Sequence, residues 1–177
     1  MNTSRHSFHQ WPIDLLIDYA LKIHHRGIRE KGPKLLELIR RNMSNDPVLA
    51  QVEPLFSDSL MALSNHLMKE ENVLFPYLYD LIDAHDNNIG IAPMHCGTIA
   101  NPIQVMMMEH GDELARHEQI ATLTSDYTAP KGATIDYCNI MAGLKDFVAD
   151  LQEHIYIENE IIFAKSQELE NKIVGIV

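Results

Sequence analysis

Cysteine is almost missing from this chain. Its 177 residues include two, Cys96 and Cys138, far apart and in no C-x-x-C pair. Two such thiols cannot build a disulfide framework, and a reduced, cytoplasmic setting is the simplest expectation. Basic residues are short as well. Lys and Arg total 14 against 25 Asp and Glu, a net charge of −11. A nucleic-acid surface needs clustered cations to neutralise phosphates, so that partner class is excluded. A polybasic membrane anchor is excluded on the same ground. Long apolar runs are missing too. Nothing approaches the ~20 residues of a membrane span, so no membrane association is expected. The opening stretch MNTSRHSFHQWPIDLLIDY is interrupted by Asp14 before any leader-like apolar region forms, so no secretory leader is expected. Period-two alternation is also missing over any useful length, which argues against a sheet.

What is present is helical spacing and histidine. The chain is long enough for one domain with a substantial core. Apolar residues recur at helical intervals through four segments, about 12–43, 48–82, 98–123 and 133–169. Gly32-Pro33 predicts a kink or break in the first segment, and Pro54 a break in the second. Loops are expected at 44–47, at 83–97 with its Asp, Asn, Gly and Pro93, and at 126–132. The first ten residues read as an N-terminal tail or docked arm, with the single domain following from 11 to 177. Four long amphipathic helices with such connections predict an all-α, antiparallel up-down-up-down four-helix bundle. Ten histidines in an acidic, cysteine-poor chain point to nitrogen and oxygen metal ligands.

A repeated pattern, H-x-x-x-E-x-x-[VI]-[LI]-F, carries that suggestion further. It occurs from His66 to Phe75 on the second helix and from His154 to Phe163 on the fourth. Residues i and i+4 share a helix face, so His66 with Glu70, and His154 with Glu158, converge on single points. A carboxylate on a core-facing stripe is costly unless it is paired or metal-bound. In an antiparallel bundle, equal depth on consecutive helices means equal distance from the connecting turn. Reflecting His66 through Asn45-Asp46 gives His25, and reflecting it through Asn88 gives His110. Reflecting His110 through Gly132 gives His154. Four histidines and two glutamates at one depth suit two metal ions, each with two imidazoles, bridged by both carboxylates. Exogenous oxygen ligands would complete the coordination. Mixed imidazole and carboxylate ligation suits iron or manganese and permits zinc or copper.

Some choices stay open on the residues alone. His24 competes with His25 for the inward position. Glu113 and Asp150, one turn from His110 and His154, are candidate partners for the outer ring nitrogens. Glu71 and Glu160 fall off the shared face. His6, His9, His85 and His117 read as surface residues, although His117 lies on the face of His110. His95 and Cys96 read as an exposed loop, and Met106, Met107 and Met108 as packing.

HHRGIRE (24–30), HLMKEENVLFP (66–76), IANPIQVMMMEH (99–110) and HIYIENEIIF (154–163) together resemble the hemerythrin-type HHE cation-binding domain. Within it they resemble the branch named for repair of iron centres, from about Trp11 to Phe163. The resemblance implies a hemerythrin-like fold. It also implies a non-heme di-iron centre with a bridging oxo or hydroxo group, held by His25, His66, Glu70, His110, His154 and Glu158. It favours His25 over His24, and manganese or zinc also fits such a site. The implied role is repair of iron–sulfur clusters, or iron donation, under nitrosative or oxidative stress. Redox reaction toward nitric oxide or peroxide goes with that role, and whether the site turns over stays open. Iron–sulfur proteins and an electron donor are the implied partners, and the oligomeric state stays open. A non-catalytic module that senses or stores oxygen, nitric oxide or iron is the alternative. Two departures stand out. Relatives in this branch commonly carry an N-terminal domain with paired cysteines, which the ten residues before Trp11 do not provide. Oxygen-carrying hemerythrins place two histidines four apart on the third helix, whereas Leu114 and Met106 flank His110 at that spacing.

Overall fold

The side chain of Asp46 accepts the backbone N–H groups of Val48 and Leu49 at 2.9 Å each. With Pro47 at the first helical position, it starts a helix where the loop was expected to end. The fourth helix starts the same way, with Thr134 capping Tyr137. A computed structural model describes residues 7–95 and 97–174. Its four long helices are α1 (13–42), α2 (47–86), α3 (100–123) and α4 (135–174). The connections at 43–46, 87–99 and 124–134 contain the three reflection points, and Asn88 and Gly132 adopt positive φ there. α1 packs against α2 and α4, α3 packs against α2 and more lightly α4, and the C-terminal halves of α2 and α4 meet. Among the described residues there is no strand, only an isolated bridge between Met94 and Gly97. The bundle is all-α and antiparallel, as its periodicity predicts.

The breaks fall elsewhere than expected. Pro33 and Pro54 both lie inside uninterrupted helix. Gly32 marks a close approach of α1 to α2, since a Cβ there would lie 2.5 Å from Leu60 Cδ2. The regular helix is instead interrupted by π-helical turns at Ala20–His25, Glu70–Leu74 and Glu158–Ile162. Each begins or ends on a predicted ligand. A π turn takes in one extra residue, so a side chain five positions on returns beneath the first. Phe75 and Phe163 directly follow the second and third of these turns.

The core is divided in two. One apolar cluster contains Leu16, Ile17, Leu74, Phe75, Leu78, Ile103, Met106, Ile161 and Phe163, among others. The other contains Ile28, Ile39, Phe56, Leu63, Leu67, Ile120, Leu144 and Leu151. On every helix the predicted ligands fall at the boundary between the two. Of residues 7–10, Phe8 is buried and packs on Trp11 and Tyr19, while Lys165 Nζ donates to the carbonyls of His9 and Trp11. Met106 is core, but Met107 and Met108 are exposed.

Candidate metal centre

Six side chains meet where the two apolar clusters part. His25, Glu70, His154 and Glu158 are fully buried, and His66 and His110 nearly so. α1 supplies His25, α2 supplies His66 and Glu70, α3 supplies His110, and α4 supplies His154 and Glu158. All four imidazoles turn Nε2 inward. Glu70 Oε1 lies 3.3 Å from His66 Nε2 and Oε2 lies 3.4 Å from His25 Nε2. Glu158 Oε2 lies 3.2 Å from His110 Nε2, and Oε1 lies 2.8 Å from His154 Nε2 and 3.7 Å from His25 Nε2. Each carboxylate therefore offers one oxygen to the His25/His154 pair and the other to the His66/His110 pair. These are two four-residue groups that share both glutamates, each compact enough to hold an ion.

The donor set fits metal ions better than it fits hydrogen bonding. All four carboxylate oxygens, with Nε2 of His25 and His154, are buried without a hydrogen-bond partner. Leaving six such atoms unsatisfied in a dry interior would cost several kcal/mol. His66 Nε2 and His110 Nε2 lie 3.0 Å apart. Two nitrogens ~2.1 Å from one ion at a right angle are separated by ~3.0 Å. The electrostatics also favour a cation. Burial lowers the affinity of His25 for a proton, yet Glu158, Glu70 and Glu71 more than offset it and raise its pKa. His66 is pushed up to about 9, because Glu70, Glu158 and Glu109 outweigh burial. Burial opposes the ionised form of Glu158, but His154, His110 and His25 hold its pKa well below the usual carboxylate range.

The outer nitrogens have partners that sequence reasoning missed. His25 Nδ1 meets Glu71 at 2.8 Å, His66 Nδ1 meets Glu109 at 2.8 Å, and His110 Nδ1 meets Asn159 at 2.8 Å. Arg29 braces Glu71 and Lys69 braces Glu109. Glu113 and Asp150 do not fill this role. Glu113 accepts from Ser59 at 2.6 Å, and Asp150 pairs with Lys31 on the surface. The available signal was adjacency. Glu71, Glu109 and Asn159 each stand next to a predicted ligand, so each faces the neighbouring helix rather than its own site. The motif phenylalanines follow the same logic. Phe75 stacks on His25 with ring centroids 5.8 Å apart, and Phe163 stacks on His110 at 6.1 Å. The α1–α2 half thus mirrors the α3–α4 half, in Glu70/Glu158, Glu71/Asn159 and Phe75/Phe163.

A family model described as the hemerythrin HHE cation-binding domain matches residues 16–166. The chain belongs to the hemerythrin HHE family. Three curated relatives place the match further. A probable iron-sulfur cluster repair protein of Haemophilus influenzae is 33% identical over 158 residues, covering 85% of this chain and 63% of that protein. Iron-sulfur cluster repair protein YtfE of Musicola paradisiaca is 31% identical, covering 88% of this chain and 66% of that protein. Iron-sulfur cluster repair protein DnrN of Neisseria gonorrhoeae is 30% identical, covering 87% of this chain and 91% of that protein. The chain thus spans somewhat under two-thirds of the first two relatives and nearly all of the third. A buried histidine–glutamate cluster in an HHE domain is a metal-binding centre.

The remaining histidines divide. His24 is buried too and stacks on His154 at 5.6 Å with an interplanar angle of 12°. Burial and the neighbouring His154 push its pKa down to about 4. His117 is buried as well, contrary to the surface expectation. It stacks on Phe147 and lies 3.1 Å from Ser59 Oγ, and burial followed by Arg116 lowers its pKa to about 4. Glu113 completes this second polar cluster, its pKa raised by burial. His9 and His85 are exposed and pair with Tyr156 and Asp86. His95 is exposed, while His6 and Cys96 lie outside the described residues. Among the described residues no helix is long and apolar enough to cross a membrane.

Proposed function

We propose that this chain holds two iron ions, one between His25 and His154 and one between His66 and His110. Glu70 and Glu158 bridge them, and an oxo or hydroxo group completes the bridge. The observation that carries this reading is the sharing of each carboxylate between both histidine pairs. Nitrogen and oxygen donors accept iron, manganese or zinc. The names of the curated relatives favour iron. Such a pair of ions supplies one-electron redox capacity and exchangeable iron.

The protein's own part is to set the terms of that chemistry. Phe75 and Phe163 pack buried apolar rings against His25 and His110. Glu71, Glu109 and Asn159 fix the ring orientations of His25, His66 and His110, and the two glutamates raise the basicity of the ligands. The role proposed is repair of iron–sulfur clusters after nitrosative or oxidative damage, with iron–sulfur proteins as targets and an electron donor as the second partner. The test is an anaerobic repair assay on a cluster protein damaged by nitric oxide. Recovery with the iron-loaded protein, and none with chelated protein or Glu158→Ala, is the expected result. A spectral response to nitric oxide without any recovery would assign the site to sensing or storage instead.

A further inference from the structure

The mirror relation between the two halves of the site fails at one position. His66 on α2 corresponds to His154 on α4, and each begins the repeated motif. His66 Nδ1 is held by Glu109, the residue just before His110. The equivalent residue on the other side is the one just before His25, which is His24. It is no anion, and it lies flat on the His154 ring rather than at its nitrogen. His154 Nδ1 consequently has no hydrogen-bond partner, and it is the only one of the four site imidazoles left so among the described residues.

His24 itself is unexplained by packing. It is 3% exposed, and neither ring nitrogen has a hydrogen-bond partner. An apolar ring of that size would fill the space without two unsatisfied nitrogens. Its Nε2 lies 3.6 Å from Glu153 Oε1, and Glu153 is half exposed. The same oxygen accepts the Tyr19 hydroxyl at 3.1 Å, and the Tyr19 ring stands edge-on to His24. Glu158 and Asp150 contribute negative charge at His24, opposed by His154 and His25. An imidazole nitrogen and a carboxylate oxygen thus stand together between solvent and the His25/His154 pair.

We infer that His24 and Glu153 form a transit site through which a divalent metal ion, carried between solvent and the His25/His154 half, enters and leaves. The inference rests on the two-ion reading above. The ion changes ligands without changing charge, so no oxidant or reductant is needed. Glu153 takes it from water, His24 holds it beside the ring of His154, and the inner donors then replace them. In the opposite half, Glu109 is instead engaged by His66 Nδ1 and Lys69 Nζ. A transit site lowers the barrier in both directions and leaves the equilibrium alone.

The experiment uses ferrous iron under anaerobic conditions, with loading followed by stopped flow and release followed by capture with a coloured ferrous chelator. His24→Phe keeps the stacked ring and removes both nitrogens. Glu153→Gln acts at a half-exposed position, independently of any folding defect in the first variant. Each variant is expected to slow loading and release of one of the two ions by the same factor, with affinity unchanged and two irons per chain at equilibrium. Unchanged rates would overturn the transit site. A fall in stoichiometry in either variant would overturn it too, by making that residue part of what holds the ions. Fewer than two irons in the unaltered protein would instead contradict the two-ion reading beneath it.

Discussion

His66 Nε2 and His110 Nε2 lie 3.0 Å apart in the interior of the bundle, brought there by two different helices. Two lone pairs at that distance repel unless a proton or a metal ion lies between them. Glu70 and Glu158 sit beside this pair and beside His25 and His154, so the cavity as a whole demands positive charge.

Metal removal should therefore cost stability. An ion bound at about 1,000 times its dissociation constant adds about 4 kcal/mol, so the chelated protein should melt about 10 °C below the loaded one. Scanning calorimetry before and after dialysis against a chelator measures this. Identical melting temperatures would mean that the six donors are satisfied without metal.

Glu71 and Glu109 carry no proposed metal bond, yet each holds the outer nitrogen of a ligand at 2.8 Å. Glu71→Gln and Glu109→Gln should each weaken metal affinity by ~10–100-fold, in chelator competition, without unfolding the protein. Affinities equal to that of the unaltered protein would show that ring orientation is set by packing alone.

His117 makes stability depend on pH without touching the metal site. Burial holds its folded pKa at about 4, against an ordinary 6.5 in the unfolded chain. The unfolded state therefore binds the proton first as pH falls. Its stabilising contribution is present above pH 6.5 and is lost between 6.5 and 4, for a total of about 3 kcal/mol. Urea unfolding of chelated protein at pH 7.5 and pH 5 should show the loss, and His117→Asn should lose less. Equal losses in both would assign the acid sensitivity elsewhere.

Phe163 is buried and stacks on His110 at an interplanar angle of 5°. Truncation to alanine should cost ~3–5 kcal/mol of stability, the range for a large buried ring. Because the ring also braces a ligand, the loss should be larger in loaded than in chelated protein, by chemical denaturation. An equal loss in both forms would confine Phe163 to packing.

Most of this candidate site is legible in the sequence, for a physical reason. A buried carboxylate is rare enough that His66/Glu70 and His154/Glu158, repeated beside the same apolar run, stand out. Reflection through the loops then found His25 and His110, because antiparallel helices of equal pitch keep depth and sequence distance proportional. The bundle followed from the same periodicity. Gly32-Pro33 and Pro54 misled, because sequence shows a missing N–H but not the neighbouring helix that keeps the backbone in place. The π turns were invisible for the converse reason, since no residue type marks them. His117 was missed because a single histidine on a helix face carries no sign of what covers it, here Phe147 and Phe56. Glu71, Glu109 and Asn159 were missed because they act across helix pairs, and within one helix only their adjacency to a ligand marks them.

The sharing of Glu70 and Glu158 between two ions is the central claim, and metal content tests it most directly. Protein expressed in iron-supplied cells and purified without chelator would be measured by mass spectrometry of the metal, beside Glu70→Ala treated identically. The account predicts two irons per chain in the unaltered protein and parallel loss of both in the variant. A Glu70→Ala protein that kept its iron, or that lost one ion while holding the other at full affinity, would contradict it.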